Sequence, residues 1–197
     1  MKARIHHIAP ALLSLASLFS IIMCGKKEDA QTSRDAGEPM AKATAVSDRG
    51  TASAVLENAE VSINYGRPQL QGRDMLAQAT EGMVWRMGMN EATEIKTARD
   101  LKFGETMIPQ GSYSLWLKKM NAEEWALIIN KKTGIWGTEY SAADDVATVP
   151  LIASTTPETV ETFTIELTAV SKNAGALKVT WGKTALSTEF MVSAGTR

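Results

Sequence analysis

The sequence predicts an all-β fold, an antiparallel, jelly-roll-like β-sandwich of roughly eight to ten strands. From about residue 51 onward, apolar and polar residues alternate in short runs, as they do along strands with one face in a core and the other in water. Turn-forming segments such as Ile108-Pro109-Gln110-Gly111 separate these runs. Helical periodicity is nearly absent, and residues 74–80 have room for at most about one or two short helical turns.

The alternating runs predict strands at residues 61–67, 91–97, 101–103, 113–117, 125–130, 146–153, 163–167, 177–181 and 186–192. The run at 125–130 is apolar on both faces, which indicates a central strand. The run at 146–153 contains Pro150, which cannot donate a hydrogen bond to a neighbouring strand, so we expect this strand at an edge.

The composition excludes several classes of chemistry. The chain has 197 residues, a net charge of −1 and 44% hydrophobic residues, which suits one globular domain with an extension. Its charge gives no case for nucleic-acid binding. The single cysteine, Cys24, and both histidines, His6 and His7, lie in the first 24 residues. If those residues are a signal, the domain has no disulfide, His/Cys zinc site, catalytic triad or cysteine nucleophile. We therefore expect no metal and no cofactor.

Residues 1–24 predict a secretory signal peptide. Lys2 and Arg4 precede an apolar run at residues 8–23, which is short for a membrane span because a span needs about 20 apolar residues. Cys24 ends this run and resembles the lipidation site of bacterial lipoproteins, where the cysteine becomes the acylated first residue. The alternative is an uncleaved anchor with an inert, buried cysteine.

Residues 25–50 predict a flexible tether, because they are polar and aperiodic and cannot bury enough surface to offset their ordering entropy. The β-sandwich domain is expected at 51–193, followed by a short tail at 194–197. We therefore expect an exported protein with a monomeric domain. A lipid anchor would hold it at the bacterial cell envelope, on the periplasmic or outer-membrane side.

Glu91 is the most conspicuous polar residue of the predicted sheet. Alternation from Glu91 to Thr97 places Glu91 on the drier side of a strand whose wetter side carries Glu94 and Lys96. A carboxylate that points into a core needs a cation or several donors. We therefore expect Glu91 to be largely buried and to contact at least one of three arginines, namely Arg67, Arg73 and Arg86.

Five motifs carry a resemblance to a known family. They are residues 64–68 (NYGRP) followed by Gly72-Arg73, and residues 84–93 (VWRMGMNEAT), 109–115 (PQGSYSL), 124–130 (EWALIIN) and 161–165 (ETFTI). In this order they resemble bacterial domain-of-unknown-function family 2911, over about residues 53–192. The resemblance implies an exported, β-rich domain, often a lipoprotein, and it implies no particular activity.

Eight residues form the candidate polar cluster: Tyr65, Arg67, Arg73, Trp85, Arg86, Asn90, Glu91 and Tyr113. One interpretation is a pocket with an aromatic wall, suited to a sugar or a small anion. The other is a buried ion pair that fixes the register of two strands. Among the tryptophans, Trp116 and Trp136 lie off the apolar pattern or beside a turn and are candidate sugar platforms.

Two functions are compatible with this cluster, and no residue is assigned a catalytic role. The first is non-enzymatic binding of a glycan or another envelope component through the Arg/Glu/Tyr cluster. The alternative is a carbohydrate-active hydrolase, which needs two carboxylates roughly 5 to 10 Å apart. Glu91 could supply one carboxylate of such a pair, and no partner for it is evident.

Overall fold

The computed structural model describes residues 48–193. The predicted signal peptide with Cys24, the predicted tether up to residue 47 and the tail at 194–197 lie outside these residues. Within residues 48–193, no helix has the length and apolar character needed to cross a bilayer.

The described chain forms ten antiparallel strands and a single 3-10 turn, Ala142–Asp144. The strands are β1 Arg49–Leu56, β2 Ala59–Gly66, β3 Val84–Trp85, β4 Thr93–Thr97, β5 Leu101–Phe103, β6 Thr106–Ile108, β7 Gly111–Lys119, β8 Trp125–Asn130, β9 Asp145–Ala169 and β10 Ala174–Val192. The predicted all-β, antiparallel class and strand number are confirmed. Strand β1 begins at Arg49 because Arg49 and Gly50 pair with the end of β2, so the sheet starts inside the segment predicted as tether.

The strands form one continuous sheet in the order β1-β2-β4-β7-β8-β9-β10-β5-β6, and β3 also pairs with β7. Strand β9 joins two halves of this sheet. Its first part pairs with β8 as far as Leu151, and its second part pairs with β10 from Ile152 onward. Strand β8 is central and all six of its residues are buried, as its sequence predicts. Pro150 lies in the part of β9 that pairs with β8, and pairing of β9 with β10 begins only at Ile152. This part of β9 is therefore a local edge of the sheet, where a proline is tolerated.

The two halves of the sheet share one hydrophobic core. Trp85 of β3 stacks on Trp181 of β10, with ring centroids 5.3 Å apart. Phe163 of β9 meets Trp85 edge-on at 5.0 Å and Tyr65 of β2 at 5.9 Å. Because these rings come from both halves, the halves face each other as the layers of a sandwich do.

A smaller cluster covers the outer face of the first half. Trp116 and Ile128 pack with Ala92, and Tyr140 lies over them, with its ring 5.0 Å from that of Trp116. Trp116 is therefore core rather than a sugar platform, because the chain after β8 folds over the face on which it lies. Trp136 lies in the same segment and is 49% exposed.

Candidate functional site

Glu91 is not buried, so the expectation for this residue is wrong. Its side chain is 53% exposed, and its carboxylate pairs with Arg49 at 3.0 Å rather than with any of the three expected arginines. The alternation holds from Thr93, where β4 begins, and fails before it. Asn90 has a left-handed φ of 62°, and Glu91 instead bridges the backbone of Trp136. The side chain of Glu91 therefore leaves the inward face.

The side chain of Arg49 connects β1 to β2 and to the chain before β4. Its guanidinium donates to the Oδ1 of Asn64 at 2.6 Å and to three backbone carbonyls, those of Asn64, Glu91 and Ala92, at 3.3 to 3.5 Å. The pair with Glu91 adds one more contact to this set. The ion pair of this region therefore has a structural role, and Glu91 is its outer member.

Removing the carboxylate of Glu91 should have little effect on stability. We expect Glu91→Ala to lower the free energy of unfolding by less than about 1 kcal/mol, because exposed ion pairs contribute little. Arg49→Ala should cost more, since it removes the donor of several backbone carbonyls. Urea denaturation of both variants measures this, with Glu105→Ala, in an exposed pair with Lys102, as the control. A larger loss for Glu91→Ala than for Arg49→Ala would contradict the assignment.

An open cleft of about 580 Å³ lies at the end of the sheet where β2 and β3 stop. It is lined by Asp48, Arg67, Pro68, Gln69, Gln71, Arg73, Met75, Trp85, Arg86, Gly88, Met89, Asn90 and Trp181. Three of these residues are arginines, and Asp48 is the one carboxylate among them. The stacked rings of Trp85 and Trp181 form part of the wall.

Two of the arginines, Arg67 and Arg73, lie in the segment that follows β2. That segment is tied to β9, because Leu70 donates its backbone N–H to Glu161 at 2.9 Å and Phe163 donates to Pro68 at 2.8 Å. Arg67 is exposed, since β2 ends one residue earlier and its inward alternation does not continue. Arg73 follows a turn in which its own N–H donates to the carbonyl of Leu70 at 2.6 Å.

The third arginine, Arg86, directly follows β3 and begins a tightly held loop, residues 86–90. Met87 has a left-handed φ of 52°, which costs a non-glycine residue roughly 1 kcal/mol. The buried hydroxyl of Thr93 donates to the carbonyl of Met87 at 2.6 Å. Gly66 lies so close to Met89 that a Cβ on Gly66 would be 2.6 Å from the Met89 nitrogen. The loop therefore has one defined course over the end of β2.

The arginine side chains of the cleft have few partners. Within residues 48–193, none of the guanidinium groups of Arg67, Arg73 and Arg86 forms a salt bridge or a side-chain hydrogen bond. The Nε of Arg86 is buried without a hydrogen-bond partner in this part of the chain. Three guanidinium charges against one carboxylate give the lining a net charge of +2. The cleft can therefore offer to anionic groups N–H donors that have no partner among residues 48–193.

Five of the eight predicted cluster residues line the cleft: Arg67, Arg73, Trp85, Arg86 and Asn90. Tyr65 is buried in the core, where its hydroxyl donates to the carbonyl of Ile165 at 3.4 Å. Tyr113 lies elsewhere, with its hydroxyl on the carbonyl of Pro109 at 2.9 Å. Glu91 also lies outside the lining.

Sequence reasoning missed several lining residues, including Asp48, Gln69, Gln71 and Trp181. Gln69 and Gln71 lie between Arg67 and Arg73 in the sequence. Their position next to two predicted arginines was a signal that could have identified them. Trp181 lies on β10, far along the chain, and only the packing of β10 against β3 brings it to the wall.

Comparison with family models finds one that covers most of the folded part. The model described as "Protein of unknown function (DUF2911)" matches residues 47–190, which includes every residue that lines the cleft. Comparison with the curated proteins and with the solved structures gives no match. The resemblance inferred from the five motifs is therefore confirmed. The chain belongs to the DUF2911 family.

Proposed function

We propose that this protein binds an acidic component of the cell envelope, a glycan or another component, in the three-arginine cleft and does not convert it chemically. The observation that carries the proposal is the set of three guanidinium groups in one open cleft, without salt bridges in the described part of the chain. The like charges of neighbouring guanidinium groups repel each other at short range. An anion bound among them offsets this repulsion, so the site favours anionic ligands. Arginine binds carboxylate and phosphoryl groups through two parallel N–H donors.

The rest of the lining suits a polar ligand with some apolar surface. Gln69, Gln71 and Asn90 offer amide groups that can donate and accept hydrogen bonds with hydroxyls. Met89 and the edge of the tryptophan pair offer apolar surface. A few polar groups in a partly apolar cleft are typical of small-molecule sites. An acidic glycan has this combination of charge, hydroxyls and apolar ring faces.

The alternative of a hydrolase receives less support. Hydrolysis by paired carboxylates needs two acidic side chains roughly 5 to 10 Å apart on either side of the scissile bond. Of the described residues that line the cleft, Asp48 alone is acidic. Glu91, the carboxylate considered for this role, lies outside the lining and pairs with Arg49. Binding is therefore the function that the cleft supports better.

The cleft proposal is tested by removing its charges one at a time. We expect Arg86→Ala and Arg67→Ala to weaken binding of acidic oligosaccharides about 10- to 100-fold each, because each removes charge-assisted hydrogen bonds. Arg99→Ala, outside the lining, is the matched control. Calorimetry with full-length protein measures the affinities, and neutral oligosaccharides of equal length test the need for charge. Binding that survives both cleft substitutions unchanged would refute the proposal.

The proposed location of the protein rests on Cys24 at the end of the apolar run. We expect Cys24→Ala to release the domain from the membrane or to leave an unprocessed precursor. The physical reason is the loss of acyl chains, which contribute about 0.8 kcal/mol of membrane affinity per buried methylene. Cell fractionation and intact-mass measurement check this. Equal mature masses for the two proteins, without added acyl chains, would refute the lipid anchor.

A further inference from the structure

We infer that the group recognised in the cleft is a phosphate monoester in its doubly charged form. This inference rests on the proposed function and names its ligand class. Among the described residues, the lining carries Arg67, Arg73 and Arg86 against one acidic residue, Asp48, and the carboxylates of Asp74 and Glu161 lie next to the lining segments. A dianion compensates more of the guanidinium charge than a monocarboxylate does.

The number of donors supports the same ligand class. A phosphoryl group presents three terminal oxygens that accept strong hydrogen bonds, whereas a carboxylate presents two. Each of the three guanidinium groups offers a planar fork of N–H donors. A terminal phosphoryl group therefore has one acceptor oxygen for each of the three arginines, whereas a carboxylate has one oxygen fewer than there are arginines.

The stems of Arg67 and Arg86 pass close to two glycines, Gly50 and Gly137. A Cβ on Gly50 would lie 2.7 Å from the Cδ of Arg67. A Cβ on Gly137 would collide with the Cδ of Arg86 and would lie 2.7 Å from the carbonyl oxygen of Asn90. The stem of Arg86 therefore passes directly beneath the backbone at Gly137. Side chains that are positioned before binding lose less entropy when the ligand arrives.

The pH dependence of binding separates the two ligand classes. Arginine keeps its charge at every relevant pH. The acidic residues in or next to the cleft segments are Asp48, Asp74 and Glu161, and both histidines lie outside the described residues. A phosphate monoester loses its second proton near pH 6. The charge of such a ligand therefore changes between pH 5 and 8, and its affinity should rise about tenfold.

The experiment compares a hexose phosphate with the uronic acid of the same hexose by calorimetry on the full-length protein, at constant ionic strength from pH 5 to 8. The expected result is binding of the hexose phosphate that strengthens about tenfold across this range, with weaker binding of the uronic acid that is independent of pH. Arg86→Ala should weaken binding of the phosphate about 10- to 100-fold, and Arg99→Ala should leave it unchanged.

Gly137→Ala tests the positioning of Arg86. It should weaken phosphate binding more strongly in the wild-type background than in an Arg86→Ala background, because part of its effect acts through that side chain. Melting temperatures of the same variants separate this effect from simple loss of folding. An equal effect of Gly137→Ala in both backgrounds would refute the positioning role.

Two further outcomes separate the failure of this inference from the failure of the proposed function. If the uronic acid binds through Arg86 and the hexose phosphate does not, the phosphate inference is wrong and the proposed function stands. If neither binds through the arginines, both are wrong. Competition by phosphatidylcholine vesicles with phosphatidic acid, but not by vesicles without it, would assign the phosphate to a lipid headgroup. Lack of competition would assign it to a glycan.

Discussion

Trp85→Ala is expected to lower the free energy of unfolding by about 3 to 5 kcal/mol, the usual cost of truncating a buried tryptophan. Trp85 is 7% exposed and joins the two halves of the sheet, because its ring stacks on Trp181 and meets the edge of Phe163. The substitution therefore opens a cavity between the halves. Typical domains are stable by only about 5 to 15 kcal/mol, so the variant should be close to unfolding at moderate temperature.

Urea denaturation and melting temperature measure this loss, and Trp136→Ala is the matched control. Trp136 is the same residue type, and 49% of its surface is exposed. Its truncation should cost about 1 kcal/mol or less. Equal destabilisation by the two substitutions would contradict the role given to Trp85 between the halves of the sheet.

Gly66→Ala is expected to destabilise the domain by about 1 to 3 kcal/mol, the usual cost of forcing extra volume into a packed interior. A Cβ on Gly66 would overlap the carbonyl oxygen of Met89 and lie 2.6 Å from its nitrogen. These are backbone atoms, so the added methyl group is accommodated only if the loop at residues 86–90 moves. Because Arg86 and Asn90 belong to that loop, anion binding should weaken together with stability.

The control for Gly66→Ala is Gly104→Asn. Gly104 has a left-handed φ of 56° and no atom within 4 Å of the position that a Cβ would occupy, and asparagine tolerates this conformation better than most residues do. We expect Gly104→Asn to change the free energy of unfolding by less than about 1 kcal/mol. Chemical denaturation measures both variants, and calorimetry measures binding. A Gly66→Ala protein with wild-type stability and binding would show that the loop is not confined by this contact.

The alternation of the sequence predicted those parts of the fold in which strands are regular. Thr93, Ile95 and Thr97 are buried as the pattern of β4 indicates, and β8 is buried throughout. The prediction failed at Glu91, because the pattern was extended across a left-handed residue, Asn90, where a strand does not continue. A period of two residues applies only within one uninterrupted strand.

The candidate site was predictable where its residues are close in sequence. The stretches that contain Arg67, Arg73 and Arg86 supplied the five predicted residues that line the cleft. The partner of Glu91 was not predictable from the pattern, because Arg49 lies in a segment whose polarity resembles that of a tether. The position of Trp181 in the wall was likewise not predictable, since it depends on the packing of strands that are distant in sequence.

Strand β9 has a consequence for how the length of this chain can vary. Its inward residues Val149 and Leu151 belong to the half of the sheet that contains β8, and Phe163 and Ile165 belong to the half that contains β10. Between these two pairs of residues, the register of β9 against β10 shifts twice, between Thr180 and Gly182 and between Gly182 and Thr184. Such irregularities hold extra residues in one strand while the pairing on either side is kept. An insertion or deletion of one residue in this part of β9 should therefore be tolerated better than one in β8, where every residue is paired and buried.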